Sequence, residues 1–469
     1  MTKEKKDRMQ RQESGAEGGG KELTRDLTNG SPLKLILGFA FPMFLGMLFQ
    51  QFYNMVDTVI VGRFLGVNQL AGVGSTGSLN FLVLGFCMGL CNGFSIPVAQ
   101  MFGARKEKDL RRFVANCVWL GIGFSVSITG VVVVFCRRIL ELMRTPEEIF
   151  EYAYLYILII FWGIPFIFLY NILAGILRSL GDSRSPVLFL AFSSLLNVAL
   201  DLVFILVLHM GVEGAALATV ISQALSGVIC LFYMAKKFPI LHITGEEWKP
   251  RPSYMGKLCA IGIPMGLQYS ITAIGSIVIQ SAVNSLGAAV VAGVTAAQKL
   301  YSFVACPIEA LGATMAPYSG QNMGAGRIDR LGKGIWAASL CGFLYGAVAL
   351  VMVLLFGGEM SLLFLESTET AVIGYSTRFL TAASAGLCLL TLVNVVRFTI
   401  QGMGFSGFAM TAGLLEMIAR TLAGVVLVPL IGFWGICLAH PLAWLFADAF
   451  LVPAFFYCRK RLESSMHAG

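Results

Sequence analysis

Runs of about 20 residues or more, apolar on every side, recur along this chain and constrain its fold more than any other feature. At 1.5 Å per residue, such a run crosses about 30 Å of hydrocarbon as an α-helix. Barrel strands would instead alternate in polarity over about ten residues. The chain is 57% apolar and 13% charged, which leaves too little polar surface for a water-soluble fold. We therefore predict an all-α polytopic protein embedded in the lipid bilayer.

About twelve spans are predicted, in two sets of six. The first set lies near 35–61, 70–101, 114–136, 152–177, 186–208 and 214–235, and the second near 258–285, 288–318, 334–357, 372–400, 408–431 and 433–457. The Pro-containing connection between them is the most polar internal segment. The predicted units are a disordered cytoplasmic tail at 1–33, an N-lobe at 34–236, a cytoplasmic interlobe linker at 237–257, a C-lobe at 258–458 and a cytoplasmic tail at 459–469.

The formal charge of +8 does not indicate a nucleic-acid partner, because the basic residues lie in short loops beside apolar spans. About 26 Lys and Arg fall in the amino-terminal tail, the even-numbered connections and the carboxyl end, against about 4 in the odd-numbered connections. This bias predicts that both termini are cytoplasmic in a multi-pass protein of the cytoplasmic (inner) membrane.

The two halves resemble each other at an offset of about 221 residues. For example, Gln100-x-x-Gly103-Ala104 returns as Gln321-x-x-Gly324-Ala325. Six spans per repeat give both halves the same orientation, so we predict a pseudo-two-fold axis along the membrane normal. Two such lobes enclose a shared cavity, and rocking of one lobe against the other would give alternating access.

Two acids lie within the predicted spans of the N-lobe, Asp57 in span 1 and Asp201 in span 5. An ionisable group there costs roughly 2.5 kcal/mol or more, and no basic residue within the same spans is an obvious partner. An all-oxygen cluster of this kind suits a sodium ion, and crowded carboxylates also suit a proton. The alternative is a pair of structural carboxylates that hydrogen-bond to neighbouring helices.

Several neutral polar residues share faces or membrane depth with these acids. Asn197 precedes Asp201 by four residues, so both lie on one face of span 5. Thr219 in span 6 falls at a similar depth. Gln50 and Asn54 lie on the same face of span 1 as Asp57 and are candidates to contact substrate in the cavity. Interhelical hydrogen bonding is the alternative for each of these neutral residues.

The C-lobe does not repeat the acid pair but carries charges of both signs. They are Lys299, Glu309, Arg378, Arg397, Glu416, Arg420 and Asp448. Glu416 and Arg420 are four residues apart and can pair on one helix. Structural pairing or gating is favoured for Glu309, Arg397, Glu416, Arg420 and Asp448, with substrate contact as the alternative, and Lys299 is a cavity candidate.

The chain resembles the multidrug and toxic compound extrusion (MATE) family from about residue 33 to residue 460. The motifs that carry the resemblance are Pro42 with Asp57-x-x-x-x-Gly62, Gln100-x-x-Gly103-Ala104, Leu177-Arg178-Ser179-Leu180-Gly181-Asp182, Gln321-Asn322-x-Gly324-Ala325, Gln401-Gly402-x-Gly404, and Glu416 with Arg420.

The resemblance implies an antiporter that exports organic, often cationic and amphiphilic, compounds in exchange for Na⁺ or H⁺. It implies a coupling site at Asp57, Asn197, Asp201 and Thr219, with Asn171 in span 4 as a further cavity candidate. One branch of the family also uses an acid in span 7, but residues 258–298 of this chain contain no acid. This departure places the chain nearer the branch that relies on the N-lobe. No cofactor is expected, and a monomer is expected to function alone.

Three alternatives stay open at this stage. A lipid-linked precursor flippase of the same superfamily would favour a cationic cavity, for which Lys299, Arg397 and Arg420 are candidates. A membrane-embedded enzyme would need Asp-rich motifs, or a nucleophile with a base, and neither pattern is visible. A channel would lack obligatory exchange between ion and substrate.

Overall fold

The computed structural model describes the backbone of residues 25–467 and the side chains of residues 25–464. Ten helices in this part of the chain are long and apolar enough to span a membrane, and two helix pairs, bent by 47° and 48°, make up one further span each. The prediction of an all-α fold with about twelve spans is confirmed. We number these spans α1–α12.

The N-lobe contains α1–α6. They comprise α1 (Pro32–Phe64), α2 (Val67–Ser75 and Gly77–Gly103), α3 (Glu107–Leu142), α4 (Glu147–Trp162 and Ile164–Ser179), α5 (Arg184–Leu202, extended by a π-helical turn at Val203–Val207) and α6 (Val212–Lys237).

The C-lobe repeats this arrangement. It comprises α7 (Pro252–Asn284), α8 (Ala288–Gly324), α9 (Asp329–Ser361), α10 (Thr370–Ala385 and Leu387–Gly402), α11 (Ser406–Leu422, a π-helical turn at Ala423–Leu427, and Val428–Ile431) and α12 (Phe433–His467).

Local sequence explains where several of these helices begin and end. Pro32 and Pro252 open α1 and α7, where the missing amide hydrogen costs nothing and the ring fixes φ in the helical range. Glu107 opens α3, whereas Lys236 and Lys237 close α6. These charges complement the helix dipole.

The backbone confirms the internal repeat. The bends in α4 and α10 fall at Gly163 and Gly386, and both α5 and α11 contain a π-helical turn near their carboxyl ends. The turns before α2 and α8 use Gly66 and Gly287, with φ of +102° and +96°. Equivalent breaks therefore occur at equivalent places in both lobes.

The lobes meet at one end of the bundle, which we call the closed end: the end where α1 and α7 begin and α2 and α8 finish. There α2 packs so tightly on α7 that a Cβ atom on Gly93 would lie 2.5 Å from the Gly262 Cα. The Gln100 amide also donates across the lobes to the Gly402 carbonyl, at 2.9 Å.

A segment before α1, residues 25–31, lies across this closed end. The Arg25 amide donates to the Leu180 carbonyl of the N-lobe at 3.1 Å. The Leu27 amide donates to Gln321 Oε1 of the C-lobe at 2.8 Å, and Asn322 Nδ2 donates to the Leu27 carbonyl at 3.2 Å. Because Leu27 is fully buried, the prediction of a disordered tail is corrected for residues 25–33. Residues 1–24 lie outside the described residues.

The connection between the lobes, Phe238–Arg251, is anchored by a buried acid. Glu247 is 3% exposed. It accepts a hydrogen bond from Arg111 Nε at 2.9 Å and another from the Thr244 amide at 2.9 Å. Burial raises the pKa of Glu247, but these bonds outweigh burial and hold the pKa below its usual range. At the other terminus, α12 extends to His467, so the predicted tail at 459–469 begins as helix.

Candidate functional site

A cavity of about 730 Å³ lies between the lobes, and both lobes contribute to its wall. Interlobe contacts seal it at the closed end. Its wall includes acids and bases from both lobes, listed here in chain order: Asp57, Arg178, Glu309, Arg397, Glu416 and Arg420. The cavity is large enough for a drug-sized molecule.

The two N-lobe acids come together beside this cavity. Asp57 of α1 lines the cavity, and Asp201 of α5 is fully buried behind it. The two carboxyl groups interact directly with each other. One carboxyl oxygen of Asp57 and both of Asp201 are buried without a hydrogen-bond donor among the described residues. Such groups carry a large desolvation cost that a bound cation or proton would remove.

Asn197 and Thr219, the other two residues of the predicted coupling site, lie beside this pair. Asn197 Nδ2 lies 3.2 Å from Thr219 Oγ1, while Asn197 Oδ1 is buried without a partner. The Thr219 hydroxyl donates to the Ala215 carbonyl at 3.1 Å, which leaves its oxygen as an acceptor. We call Asp57, Asn197, Asp201 and Thr219 the acid cluster. Its spare oxygens suit a hard cation.

Within the described chain, no group of three or more His, Cys, Asp or Glu side chains comes together in the way a metal site requires. A cation at the acid cluster would therefore be held by two carboxylates and neutral oxygens. That donor set is weaker than a dedicated metal site, which suits an ion that must also leave.

Two tyrosines beside the acid cluster were missed by sequence reasoning. The Tyr53 hydroxyl lies 3.4 Å from Thr219 Oγ1, and Tyr156 is an electrostatic neighbour of both acids. Tyr53 could have been found, because it precedes Asp57 by four residues and so shares its helix face. Tyr156 lies in an apolar run of α4 that gives no such signal.

Most of the predicted cavity residues line the cavity, but one does not. Gln50, Asn54 and Asn171 all contribute to the wall, and Asn171 Nδ2 donates within its own helix to the Ile167 carbonyl at 2.8 Å. Lys299 is not part of the wall. Its ammonium group lies 5.7 Å from the Phe364 ring centroid, after α9. The expectation of a cavity position for Lys299 is corrected, because span position alone does not fix which way a side chain faces.

The C-lobe charges are largely compensated. Glu416 pairs with Arg397 of α10, and its other oxygen lies 3.3 Å from Arg420 Nη2, one helical turn away. All three side chains are at most 8% exposed. Asp448 is buried without a hydrogen bond among the described residues, near enough to Arg397 to interact electrostatically. Glu309 instead faces the cavity.

Comparison with known proteins identifies the family of this chain. The MatE family model matches residues 42–203 and 264–430, one match in each lobe. A probable multidrug resistance protein of Bacillus subtilis, YpnP, is 32% identical over 74% of this chain and 78% of its own length. The multidrug export protein MepA of Staphylococcus haemolyticus is 23% identical over 80% and 81%.

A solved structure shares the fold. It is a multidrug resistance MATE family transporter in an outward-facing conformation, with a TM-score of 0.87 and 23% identity over 96% of this chain and 99% of that chain. The family match covers most of both lobes, and the sequence similarity extends over three quarters of the chain. The chain therefore belongs to the MatE family of multidrug and toxic compound extrusion transporters.

Proposed function

We propose that this chain is a secondary active antiporter that exports organic, cationic amphiphilic compounds in exchange for Na⁺ or H⁺. The observation that carries the proposal is the acid cluster. Asp57 and Asp201 are adjacent and lack a basic partner in the described part of the chain, and Asp57 opens onto the cavity. Membrane proteins retain such costly groups where they bind and release charge.

The coupling follows from the position of Asp57. An ion bound there neutralises charge on the cavity wall, and exchange requires that the ion and the cationic substrate favour opposite states of the transporter. One positive charge moving inward through 100 mV yields about 2.3 kcal/mol. Moving one organic monocation outward costs the same amount, so a one-for-one exchange is driven by the concentration gradient of the ion.

The two symmetric lobes support alternating access. Contacts close the cavity at the end where Gln100 and Gly402 meet, and the equivalent backbone breaks in both lobes allow related packings. The positive-inside bias makes this closed end cytoplasmic, with both termini on that side of the inner membrane. We further propose that the protein works as a monomer and uses no cofactor other than the coupling ion. We also propose that residues 34–236 and 258–458 form the two lobes.

A flippase for lipid-linked anions is the second candidate, because Arg178, Arg397 and Arg420 line the cavity. Two of these guanidinium groups share Glu416, however, and Arg178 donates to Asn92 Oδ1 at 3.1 Å. The positive charge of Arg397 and Arg420 is therefore less available to a phosphate, whereas Arg178 keeps its charge because Asn92 is neutral.

The proposal is tested by efflux of ethidium from proteoliposomes under an imposed Na⁺ or H⁺ gradient. The gradient that accelerates efflux identifies the ion. Asp57→Asn and Asp201→Asn should reduce gradient-driven efflux to the level of protein-free vesicles, whereas Glu148→Gln, an exposed acid at the start of α4, should not. Full exchange by both Asp variants would overturn the assignment. Ethidium flux without coupled ion movement would indicate a channel.

A further inference from the structure

One carboxylate on the C-lobe wall of the cavity has no hydrogen-bond or ion-pair partner among the described residues. Glu309 lies in the middle of α8, between the buried Ile308 and Ala310, yet its side chain is exposed to the cavity. It makes no hydrogen bond or ion pair with any side chain in residues 25–464. Tyr269 of α7 and Tyr301 of α8 are its electrostatic neighbours. Glu309 is thus held open to whatever occupies the cavity.

The other charges on this wall cancel. Arg397 and Arg420 share Glu416, and Asp448 interacts with Arg397 from behind. Two guanidinium groups and two carboxyl groups leave no net charge when both acids are ionised. Glu309 therefore adds a single negative charge on the cavity side of the C-lobe. The C-lobe wall around Glu309 therefore favours a cationic group, while Arg178 keeps its positive charge on the N-lobe wall.

An aromatic stack lies on the same wall as this carboxylate. The rings of Tyr301, His440 and Trp444 lie nearly parallel, with centroids 5.6–6.2 Å apart and interplanar angles of 20–29°. All three residues line the cavity; Tyr301 and His440 are half-buried, and Trp444 packs behind them. Tyr301 and Glu309 are two helical turns apart, about 12 Å along α8. That distance matches an amphiphile with a charged group at one end and a planar body at the other.

This wall is separate from the acid cluster. α1 and α8 run antiparallel and touch where the Phe52 and Phe303 rings lie 5.4 Å apart. From that contact, Asp57 lies further towards the open end and Glu309 further towards the closed end. At 1.5 Å per residue, the two acids are about 16 Å apart along the bundle. One small ion cannot bridge them.

We infer that Glu309 and the Tyr301–His440–Trp444 stack form a recognition site for planar organic monocations, distinct from the ion site in the N-lobe. Glu309 neutralises the cationic group, and the stack holds the planar aromatic body by offset stacking. The inference rests on the proposed export of organic cations. It adds that substrate and coupling ion do not compete for one carboxylate, so their coupling is indirect.

Equilibrium binding tests this independently of transport. Ethidium, a planar monocation, and tetraphenylphosphonium, a monocation without a planar body, are titrated onto the purified full-length protein in nanodiscs. Glu309→Gln should weaken binding of both by about tenfold or more, since a charge-assisted contact is lost. Tyr301→Leu should weaken ethidium binding selectively. Glu309→Asp, which keeps the charge, should bind both within about threefold of the wild type.

Two controls separate the outcomes. Glu366→Gln removes an exposed acid after α9 and should leave both affinities unchanged, and thermal unfolding of each variant reports folding. Unchanged ethidium affinity in a folded Glu309→Gln variant would overturn the inference. Loss of ion binding at unchanged ethidium affinity would also overturn it, since Glu309 would then be an ion ligand. Because these are binding measurements, failure of gradient-driven exchange would not affect them.

Discussion

The closed end depends on two glycines that pack reciprocally across the lobes. A Cβ atom on Gly103 would overlap the Gln321 carbonyl oxygen, and a Cβ atom on Gly324 would overlap the Gln100 carbonyl oxygen. Both overlaps are with backbone and lie well inside 3.0 Å, which real Cβ atoms essentially never cross. A Gly103→Ala variant must therefore separate the lobes here by about 1 Å or more.

The size of the effect follows from the hydrogen bonds that this separation would break. Gln321 Nε2 donates to the Ser179 carbonyl at 2.8 Å and Gln100 Nε2 to the Gly402 carbonyl at 2.9 Å, both across the lobes. Each is worth about 0.5–1.5 kcal/mol net. Losing both costs about 1–3 kcal/mol, which shifts the equilibrium away from the closed-end state by roughly 5-fold to 150-fold.

Hydrogen exchange measured by mass spectrometry is a direct assay. In Gly103→Ala and Gly324→Ala, amides in residues 25–30, 100–106 and 321–327 should exchange faster, and ethidium efflux should slow. One separation relieves both overlaps, so the double variant should resemble either single variant rather than their sum.

The matched controls are Gly74→Ala and Gly407→Ala, where a new Cβ atom meets nothing within 4 Å. These should exchange and transport like the wild type. The reasoning is refuted if Gly103→Ala keeps wild-type protection at the closed end and wild-type efflux.

Two further predictions concern charges elsewhere. Glu416→Gln leaves Arg420 buried without its ion-pair partner and Arg397 with only the electrostatic attraction of Asp448, which should destabilise the protein by about 3–5 kcal/mol. Arg420→Gln, which keeps the Arg397–Glu416 pair, should lower the thermal unfolding temperature less. Burial raises the pKa of Asp26, but hydrogen bonds from Thr28 outweigh it and hold the pKa below 3.8. The ionised Asp26 therefore stabilises the closed end above pH 3.8, and this stabilisation is lost as the pH falls further. Closed-end amides of the wild type should then lose protection from hydrogen exchange. The Asp26→Asn variant should show no such dependence on pH.

Much of this fold was predictable because a helix that crosses lipid must be apolar over about 20 residues. Apolar runs gave the spans, and the repeat at about 221 residues gave two equivalent lobes. The acid cluster was predictable because helical spacing places Asn197 and Asp201 on one face. The predictions of the spans and of the acid cluster both use only local sequence and the fact that lipid surrounds the helices.

What could not be predicted depends on contacts between lobes. No local pattern shows that Leu27 is buried against Gln321, because the partner lies 294 residues away. The sequence also gave no sign that Lys299 points away from the cavity while Glu309, on the same helix, faces it. The direction in which each side chain faces depends on how its helix is rotated about its own axis. That rotation is set by packing against the neighbouring helices.

The two lobes have similar backbone conformations but differ in the charged and aromatic side chains that they carry. Bends, π-helical turns and left-handed glycines recur in both, so each lobe contributes a similar surface to the two packings that alternating access requires. The positions equivalent to Asp57 and Asp201 are apolar in the C-lobe, and Thr219 corresponds to His440 of the aromatic stack. Symmetry in the backbone therefore fits the alternating access that we propose. The charges differ between the lobes, with an uncompensated acid pair in one and a nearly neutral, aromatic wall in the other.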